Sequence, residues 1–212
     1  MIPAALCYHA VSESWDDPLA VRSADLERQL RLAARILRPL HVTFDAAYAN
    51  VLQAIPALER AGARTTVFAC AAYGDGRPLE ISELAGDRFD AVALRTLTWD
   101  ELRGLAERGV EIGSHTLVHA HLPGLGDAEL DRELRESRQR IEDELGRSCP
   151  TLAYPYGEED ARVREAAGRA GYVEAYGLPG SGGELSLPRV GVWRKDTLPR
   201  FALKLAVARR RG

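Results

Sequence analysis

Gly109-Val-Glu-Ile-Gly-Ser114 is a short apolar run that leads directly into His115-Thr-Leu-Val-His119. It follows a helix signal and is too short for a helix itself, so it predicts a strand that ends at a histidine. Histidines four residues apart share one face of a helical turn, and neutral imidazoles suit zinc or a similar cation. Taken alone, the pair fits equally well a capping histidine beside a solvated one.

Seven runs of this kind alternate with helix signals, at about positions 4–9, 40–45, 64–70, 110–114, 151–154, 172–177 and 188–193. Strands separated by helices pair in parallel and have the helices outside. Seven such units predict an α/β fold, either a barrel or a strongly curved sheet, whose reactive groups collect at the carboxyl ends of the strands. His9, Asp45, His115 and Tyr156 each lie at or just beyond such an end, which indicates a single active site.

Local signals also place helices and one long excursion. Ser23 is predicted to cap a helix, Thr98-Trp-Asp-Glu101 is a capping box, and residues 127–145 form an amphipathic helix. Pro56 must kink the helix after the Asp45 strand or end its first half. The segment from 74 to 97 shows little periodicity and predicts an excursion over one face of the molecule.

Composition limits the class of protein. The 212 residues suit one domain, and the net charge of −3 argues against a general nucleic-acid binder. Cys7, Cys70 and Cys149 are widely spaced and odd in number, which indicates neither a disulfide framework nor a thiolate metal site. The start of the chain has no basic leader, which favours a cytoplasmic protein.

A basic amphipathic helix is predicted at about 197–211. Docking of its apolar face on the body is the simpler interpretation, and attachment to an anionic membrane surface is the alternative.

Hydrolysis of an amide needs a polarised carbonyl, an activated water, an oxyanion donor and an acid for the leaving amine. A cation on His115 and His119 would serve the first two needs. Asp45 is a candidate general base, although aspartate also starts turns for local reasons. The turn Tyr154-Pro-Tyr-Gly157 could direct a backbone N–H at an oxyanion or be merely structural. His9 is a candidate acid or a hydrogen-bonded core residue.

These residues carry a family resemblance. Thr43-Phe-Asp-Ala-Ala-Tyr48 resembles the TFDDG/A-Y motif of polysaccharide deacetylases, the NodB-homology group of carbohydrate esterase family 4. Ser114–His119 resembles the family's H-S/T-x-x-H motif, Ala153–Gly157 looks like its third motif, and Leu187–Val190 falls where the last is expected. The resemblance covers most of the chain and implies a distorted (β/α)7 barrel over residues 1–212.

The resemblance also implies an activity, that of a metal-dependent de-N-acetylase. Its substrate would be an N-acetylated amino sugar in a polysaccharide precursor, a glycolipid or a glycosylated metabolite. Asp45 would be the general base, His115 and His119 would bind a divalent metal, with zinc expected, and Tyr156 would supply a backbone oxyanion donor. Tyr48, Tyr154 and Pro155 would lie beside the substrate.

Three positions depart from the family pattern. Ala46 replaces a metal-binding aspartate, so two neutral ligands remain where a catalytic zinc usually has three, and metal binding is expected to be weak or absent. Ala153 and Val190 stand where the family has arginine and histidine. As hypotheses, Arg189 could instead steady Asp45 and His9 could serve as the acid.

Ala46 leaves three interpretations open, ranked in this order. It is an introduced change that inactivates an otherwise active deacetylase. It is a natural replacement, compensated by another ligand or marking a metal-independent hydrolase or lyase that uses Asp45 and His9. Or the protein is a carbohydrate-binding pseudoenzyme.

Overall fold

The computed structural model describes residues 5–211, with side chains up to residue 208. Its strands are β1 Ala5–Tyr8, β2 Ala10–Val11, β3 Ala20–Val21, β4 His41–Phe44, β5 Arg64–Ala69, β6 Glu111–Ser114, β7 Thr151–Ala153, β8 Glu174–Tyr176 and β9 Arg189–Gly191. Each of the seven predicted runs contains one strand of the main sheet, although residue 4 of the first run lies outside the described residues. The pair β2 and β3 was not predicted.

The main sheet has the strand order β8-β7-β6-β5-β4-β1-β9, and every neighbouring pair is parallel. A parallel bridge between Tyr176, the last residue of β8, and Leu187, just before β9, brings the two edges together. The sheet is therefore a nearly closed seven-stranded barrel, and the predicted distorted (β/α)7 barrel is confirmed. Because all seven strands run the same way, their carboxyl ends meet at one face of the barrel.

The helices are α1 Ser23–Ile36, α2 Ile55–Ala61, α3 Trp99–Glu107, α4 Asp127–Leu145, α5 Ala161–Arg169 and α6 Leu198–Arg211. The capping box before α3 is confirmed, since Thr98 accepts from the Glu101 backbone N–H and the Glu101 side chain accepts from that of Thr98. Pro56 lies in the first turn of α2, after a separate 3-10 turn at Ala49–Gln53, as its missing N–H requires.

The predicted cap at Ser23 is wrong. Ser23 is the first residue of α1, the cap position is Arg22, and no side chain caps this end. The Ser23 backbone N–H donates instead to the Glu13 carboxylate at 2.8 Å. A residue from the preceding loop thus satisfies an orphan N–H that the sequence pattern assigned to the serine hydroxyl.

Helix α6 docks on the body of the protein, as the simpler interpretation expected. Phe201 and Leu205 are fully buried, and the helix packs against α1. Its other side exposes Leu203 and Val207, while the side chains of Arg209–Arg211 lie outside the described residues. Across residues 5–211, the structure has no helix long and apolar enough to cross a membrane. Peripheral membrane contact and a cytoplasmic location stay predictions.

Residues 74–97, which we call the crossing segment, lie over the carboxyl-end face of the barrel. Its two ends are held together by antiparallel bridges from Asp75 to Thr98 and from Pro78 to Arg95. Leu79, Leu84 and Leu94 are buried in a second hydrophobic cluster apart from the main core, with Trp15 and Tyr48 among its members. The predicted excursion is therefore a packed part of the fold.

Candidate active site

A pocket of about 280 Å³ opens at the carboxyl-end face. Its wall comes from loops that follow different strands and from the crossing segment. The lining residues include His9 after β1, Asp45 and Ala46 after β4, His115 and His119 after β6, and Tyr156 after β7. The structure therefore brings together residues that are far apart in the sequence, as one active site requires.

Asp45 is buried beside a buried arginine. Arg189 Nη1 donates to Asp45 Oδ1 at 2.6 Å, and Cys7 Sγ donates to Oδ2 at 3.5 Å. Burial alone would raise the pKa of Asp45, but the charge of Arg189, followed by His115 and His9, lowers it below its ordinary value. Asp45 in turn raises the pKa of Arg189 despite burial, so both groups are charged at neutral pH. Arg189 thus steadies Asp45, as hypothesised.

Five non-glycine residues adopt positive φ angles, and all lie in the loops at this face. They are Ala46 at 66°, Ala47 at 49°, Thr116 at 66°, His119 at 65° and Tyr156 at 60°. A left-handed backbone is unfavourable for L-residues by about 1–2 kcal/mol each, and such strain concentrates at functional sites. The strained geometry therefore marks the same pocket independently of its chemistry.

The two metal-motif histidines approach each other through a loop. We expected a helical turn from 115 to 119, but that is wrong, since Thr116 and His119 are left-handed and no helix is formed. The Glu133 carboxylate from α4 accepts the backbone N–H groups of Leu117 and Val118 at 2.9 and 3.1 Å and shapes the loop. The imidazole centroids of His115 and His119 still lie 4.8 Å apart.

Each of these imidazoles is held neutral. Burial lowers the pKa of His115, and burial together with His115 lowers the pKa of His119 to about 3. His115 Nδ1 lies 2.8 Å from the Ala153 carbonyl oxygen, which leaves Nε2 for the pocket. Nδ1 of His119 is buried without a hydrogen-bond partner within the described residues. Two neutral nitrogens are therefore available to a ligand.

His9 follows the end of β1 and stacks on Trp193, with ring centroids 5.1 Å apart. Its Nδ1 is buried, and no partner for it exists among the described side chains. Burial lowers the pKa of His9 to about 4, against the opposing effect of Asp45. At neutral pH His9 is thus a proton acceptor, and it can act as an acid only after it has taken up a proton.

The third motif forms a tight turn. Tyr156 donates through its hydroxyl to Glu83 Oε2 at 2.8 Å, and its ring stacks flat on His121 at 3.7 Å between centroids. Gly157 has φ +72°, and a Cβ there would lie 2.6 Å from Leu178 Cβ, so the position requires glycine. The Gly157 N–H already donates to the Tyr154 carbonyl, which leaves that of Tyr156 as the oxyanion donor in this turn.

The structure separates the predicted substrate contacts. Tyr48 lines the pocket. Tyr154 and Pro155 are buried and lie outside the lining, because the Tyr154 ring packs in the core and its hydroxyl donates to the Leu185 carbonyl at 2.9 Å. These two residues shape the turn and are not placed to touch a substrate.

Sequence reasoning missed Trp193 and Glu83. Trp193 follows the last strand and could have been found by the same carboxyl-end rule that selected His9. Glu83 lies in the aperiodic crossing segment, 73 residues from its partner Tyr156, and no local signal marks it. Only the fold reveals its place at the rim.

A sequence model of the polysaccharide deacetylase family matches residues 37–175, more than half of the chain. The chain belongs to the polysaccharide deacetylase family. A curated relative, YxkH of Bacillus subtilis (strain 168), whose name assigns it provisionally to the polysaccharide deacetylases, is 26% identical over 132 residues. That alignment covers 62% of this chain but only 41% of YxkH.

Solved structures share the fold of this family member. A polysaccharide deacetylase from Bacillus cereus superposes with a TM-score of 0.74 at 20% identity, over 95% of this chain and 68% of that one. The Streptococcus pyogenes deacetylase PplD, solved in complex with acetate, gives 0.74 at 19% identity, over 95% and 97% of the two chains. IcaB from Ammonifex degensii gives 0.68 at 21%, over 97% and 96%.

Carbohydrate esterase family 4 enzymes are generally metal-dependent, but this family member lacks a complete set of metal ligands. Within the described residues, the group of three whose ligand atoms all lie within 4.8 Å of one another is Cys7, His9 and Asp45, and His115 and His119 belong to no such group. Arg189 on Asp45 opposes a cation beside Cys7 and His9. With a methyl group at position 46, the two metal-motif imidazoles stand without a carboxylate, so neither set fits a three-ligand metal.

Proposed function

We propose that the protein is a hydrolase that removes an acyl group, in the first instance acetyl, from the nitrogen of an amino sugar. The observation that carries this proposal is the convergence of Asp45, His9, His115, His119 and Tyr156 on one strained pocket. Membership of the deacetylase family supports the same reaction. The proposal concerns this domain alone, since the aligned part of YxkH is less than half of that protein.

In the proposed reaction a water adds to the amide carbonyl. The water's proton passes to the Asp45 carboxylate, which Arg189 holds ionised, or to neutral His9 beside it. The backbone N–H of Tyr156 stabilises the oxyanion of the tetrahedral intermediate. When the C–N bond breaks, the same proton returns to the leaving nitrogen, and the products are a carboxylate and an amino sugar.

Ala46 determines how fast this reaction runs. A carboxylate at that position would add an anionic oxygen to two neutral imidazoles. Its loss should weaken metal binding by at least about 10–100-fold, the effect expected even of a residue that only supports a ligand. We therefore expect slow or undetectable acetate release from this chain and recovery when the carboxylate is restored.

The test compares the natural chain with Ala46→Asp and Ala46→Asn. Both replacements tolerate the left-handed backbone better than alanine, but only aspartate adds a charged ligand. Ala46→Asp should take up zinc by metal analysis and release acetate from an N-acetylglucosamine oligomer, while Ala46→Asn should do neither. If Ala46→Asp binds zinc no better than Ala46→Asn, the metal-dependent proposal fails.

The second candidate is a metal-independent hydrolase that uses Asp45 and His9. It is favoured by the buried, unpartnered Nδ1 of His9, whose ring lies within ligand distance of Asp45. Acetate release by the natural chain in the presence of a chelator, lost in His9→Ala, would support it. Inactivity of the natural chain and Ala46→Asp alike would contradict both hydrolase proposals and leave a carbohydrate-binding role.

A further inference from the structure

The crossing segment forms one wall of the pocket. Ile81, Glu83, Leu84 and Arg88 from this segment all line it. Because Leu84 is also buried in the second hydrophobic cluster, the wall is anchored to the body of the protein. The segment therefore limits what the pocket can hold.

Polar contacts fasten this wall on two sides of the opening. On one side, Arg88 Nε donates to Asp17 Oδ2 at 2.8 Å, and Asp17 is a buried residue between β2 and β3. On the other side, Glu83 accepts from the Tyr156 hydroxyl and lies 3.2 Å from His121 Nε2. The crossing segment thus spans the opening from the loop after β2 to the loops after β6 and β7.

The opposite side is closed by apolar groups. Trp193, after β9, stacks on His9, and Leu178, after β8, lines the pocket beside Gly157. The enclosed volume of about 280 Å³ corresponds to on the order of nine water molecules at liquid density. That space suits one sugar ring with its acyl group, and it lacks the two open ends that a polymer needs to pass through.

We propose that the pocket accepts a single acylated amino-sugar residue, attached to the rest of its molecule at one position at most, and rejects an internal residue of a chain. The substrate class is then a monosaccharide derivative or the terminal residue of a glycoconjugate. This inference rests on the proposed function, since it names the substrate of the same site.

The test uses two β-linked glucosamine trimers that differ only in which residue carries the N-acetyl group, the non-reducing terminal one or the central one. Equilibrium binding by isothermal titration calorimetry is measured on the natural chain, so the result does not depend on turnover. Acetate release by Ala46→Asp provides the second measurement. The terminally acetylated trimer should bind at least about tenfold more tightly, and its acetate should be released faster.

A variant pair tests the wall itself. Glu83→Ala removes the contacts to Tyr156 and His121 and should narrow the difference between the two trimers. Glu80→Ala is the matched control, because Glu80 is exposed on the same segment and does not line the pocket. It should leave the difference unchanged.

The outcomes separate the two proposals. Equal binding and equal hydrolysis of the two trimers would overturn the end-residue inference and leave the deacetylase proposal standing. Failure to bind or hydrolyse either trimer, or N-acetylglucosamine itself, would contradict the proposed function. A preference for the terminal trimer that Glu83→Ala and Glu80→Ala both leave intact would show that another wall selects, and would overturn the role of the crossing segment.

Discussion

Ala46 and Ala47 adopt left-handed backbone angles that glycine, asparagine or aspartate would adopt with less strain. Nothing in the packing rewards alanine there with a hydrogen bond. The turn therefore keeps the backbone of a ligand-bearing loop after the ligand itself is gone. This is why restoring a carboxylate at position 46 is a reasonable experiment, since the backbone already points the side chain into the pocket's lining.

The buried pair of Asp45 and Arg189 gives the first stability prediction. Arg189→Met leaves the Asp45 charge without its partner in a buried site and should lower the free energy of unfolding by about 3 kcal/mol. Arg60→Met is the control, because Arg60 forms an exposed pair with Glu27 and should change stability by less than about 1 kcal/mol. Urea unfolding followed by circular dichroism measures both.

A double-mutant cycle completes this test. Asp45→Asn with Arg189→Met removes both charges, so the loss should be smaller than the sum of the two single losses by more than about 1 kcal/mol. Additive losses would mean that the two groups do not interact in solution as their 2.6 Å contact indicates.

Among the helices, α1 and α3 carry similar start signals but are capped differently. Thr98→Ala removes a side-chain cap and should reduce the free energy of unfolding by about 1 kcal/mol. Ser23→Ala should change it by no more than about 0.5 kcal/mol, because the Ser23 hydroxyl caps nothing. Matched urea titrations of the two variants check the difference, and an equal loss in both would contradict the assigned caps.

The elements that sequence predicts well are those with a local cause. Each strand of the barrel is an apolar run followed by a polar group, and the Thr98 capping box is complete within four residues. The elements that sequence misses depend on distant partners. Strands β2 and β3 have two residues each and exist only as a pair. The loop after β6 is shaped by Glu133 on α4, which overrides a helical spacing of histidines.

The same division holds for the site. Asp45, His9, His115 and Tyr156 were predictable because carboxyl ends of parallel strands share one face. The rim was not, because Glu83 and Arg88 find their partners across gaps of 73 and 71 residues. Tyr154 misled for the opposite reason, since its place in a catalytic motif says nothing about the direction of its ring.

For the molecule as a whole, buried neutral histidines predict a pH-dependent stability. Burial lowers the pKa of His9 and of His41 to about 4 and that of His119 to about 3. These folded-state values lie below the unfolded value of 6.5, so the unfolded chain binds more protons. Stability is therefore fully present above pH 6.5 and is lost as the pH falls toward 4.

We expect each buried histidine to contribute on the order of 2 kcal/mol to the loss between pH 7.5 and pH 5. His41 is outside the pocket, where Nε2 lies 2.9 Å from Thr66 Oγ1, so His41→Gln should flatten the pH dependence without changing the site. His121→Gln is the contrasting control, because bonds to Glu158 and Glu83 raise the pKa of His121. A natural chain equally stable at both pH values would refute the assignment.

The pairing of β1 with β9 joins residues near opposite ends of the described chain. Arg189, the first residue of β9, is also the cation that keeps Asp45 ionised, across a separation of 144 residues. During synthesis, the catalytic aspartate therefore emerges long before its counter-ion and waits, incompletely compensated, while the intervening strands assemble. Barrel closure and activation of the base are a single event, so a nascent or truncated chain that lacks the last strand also lacks a competent active site.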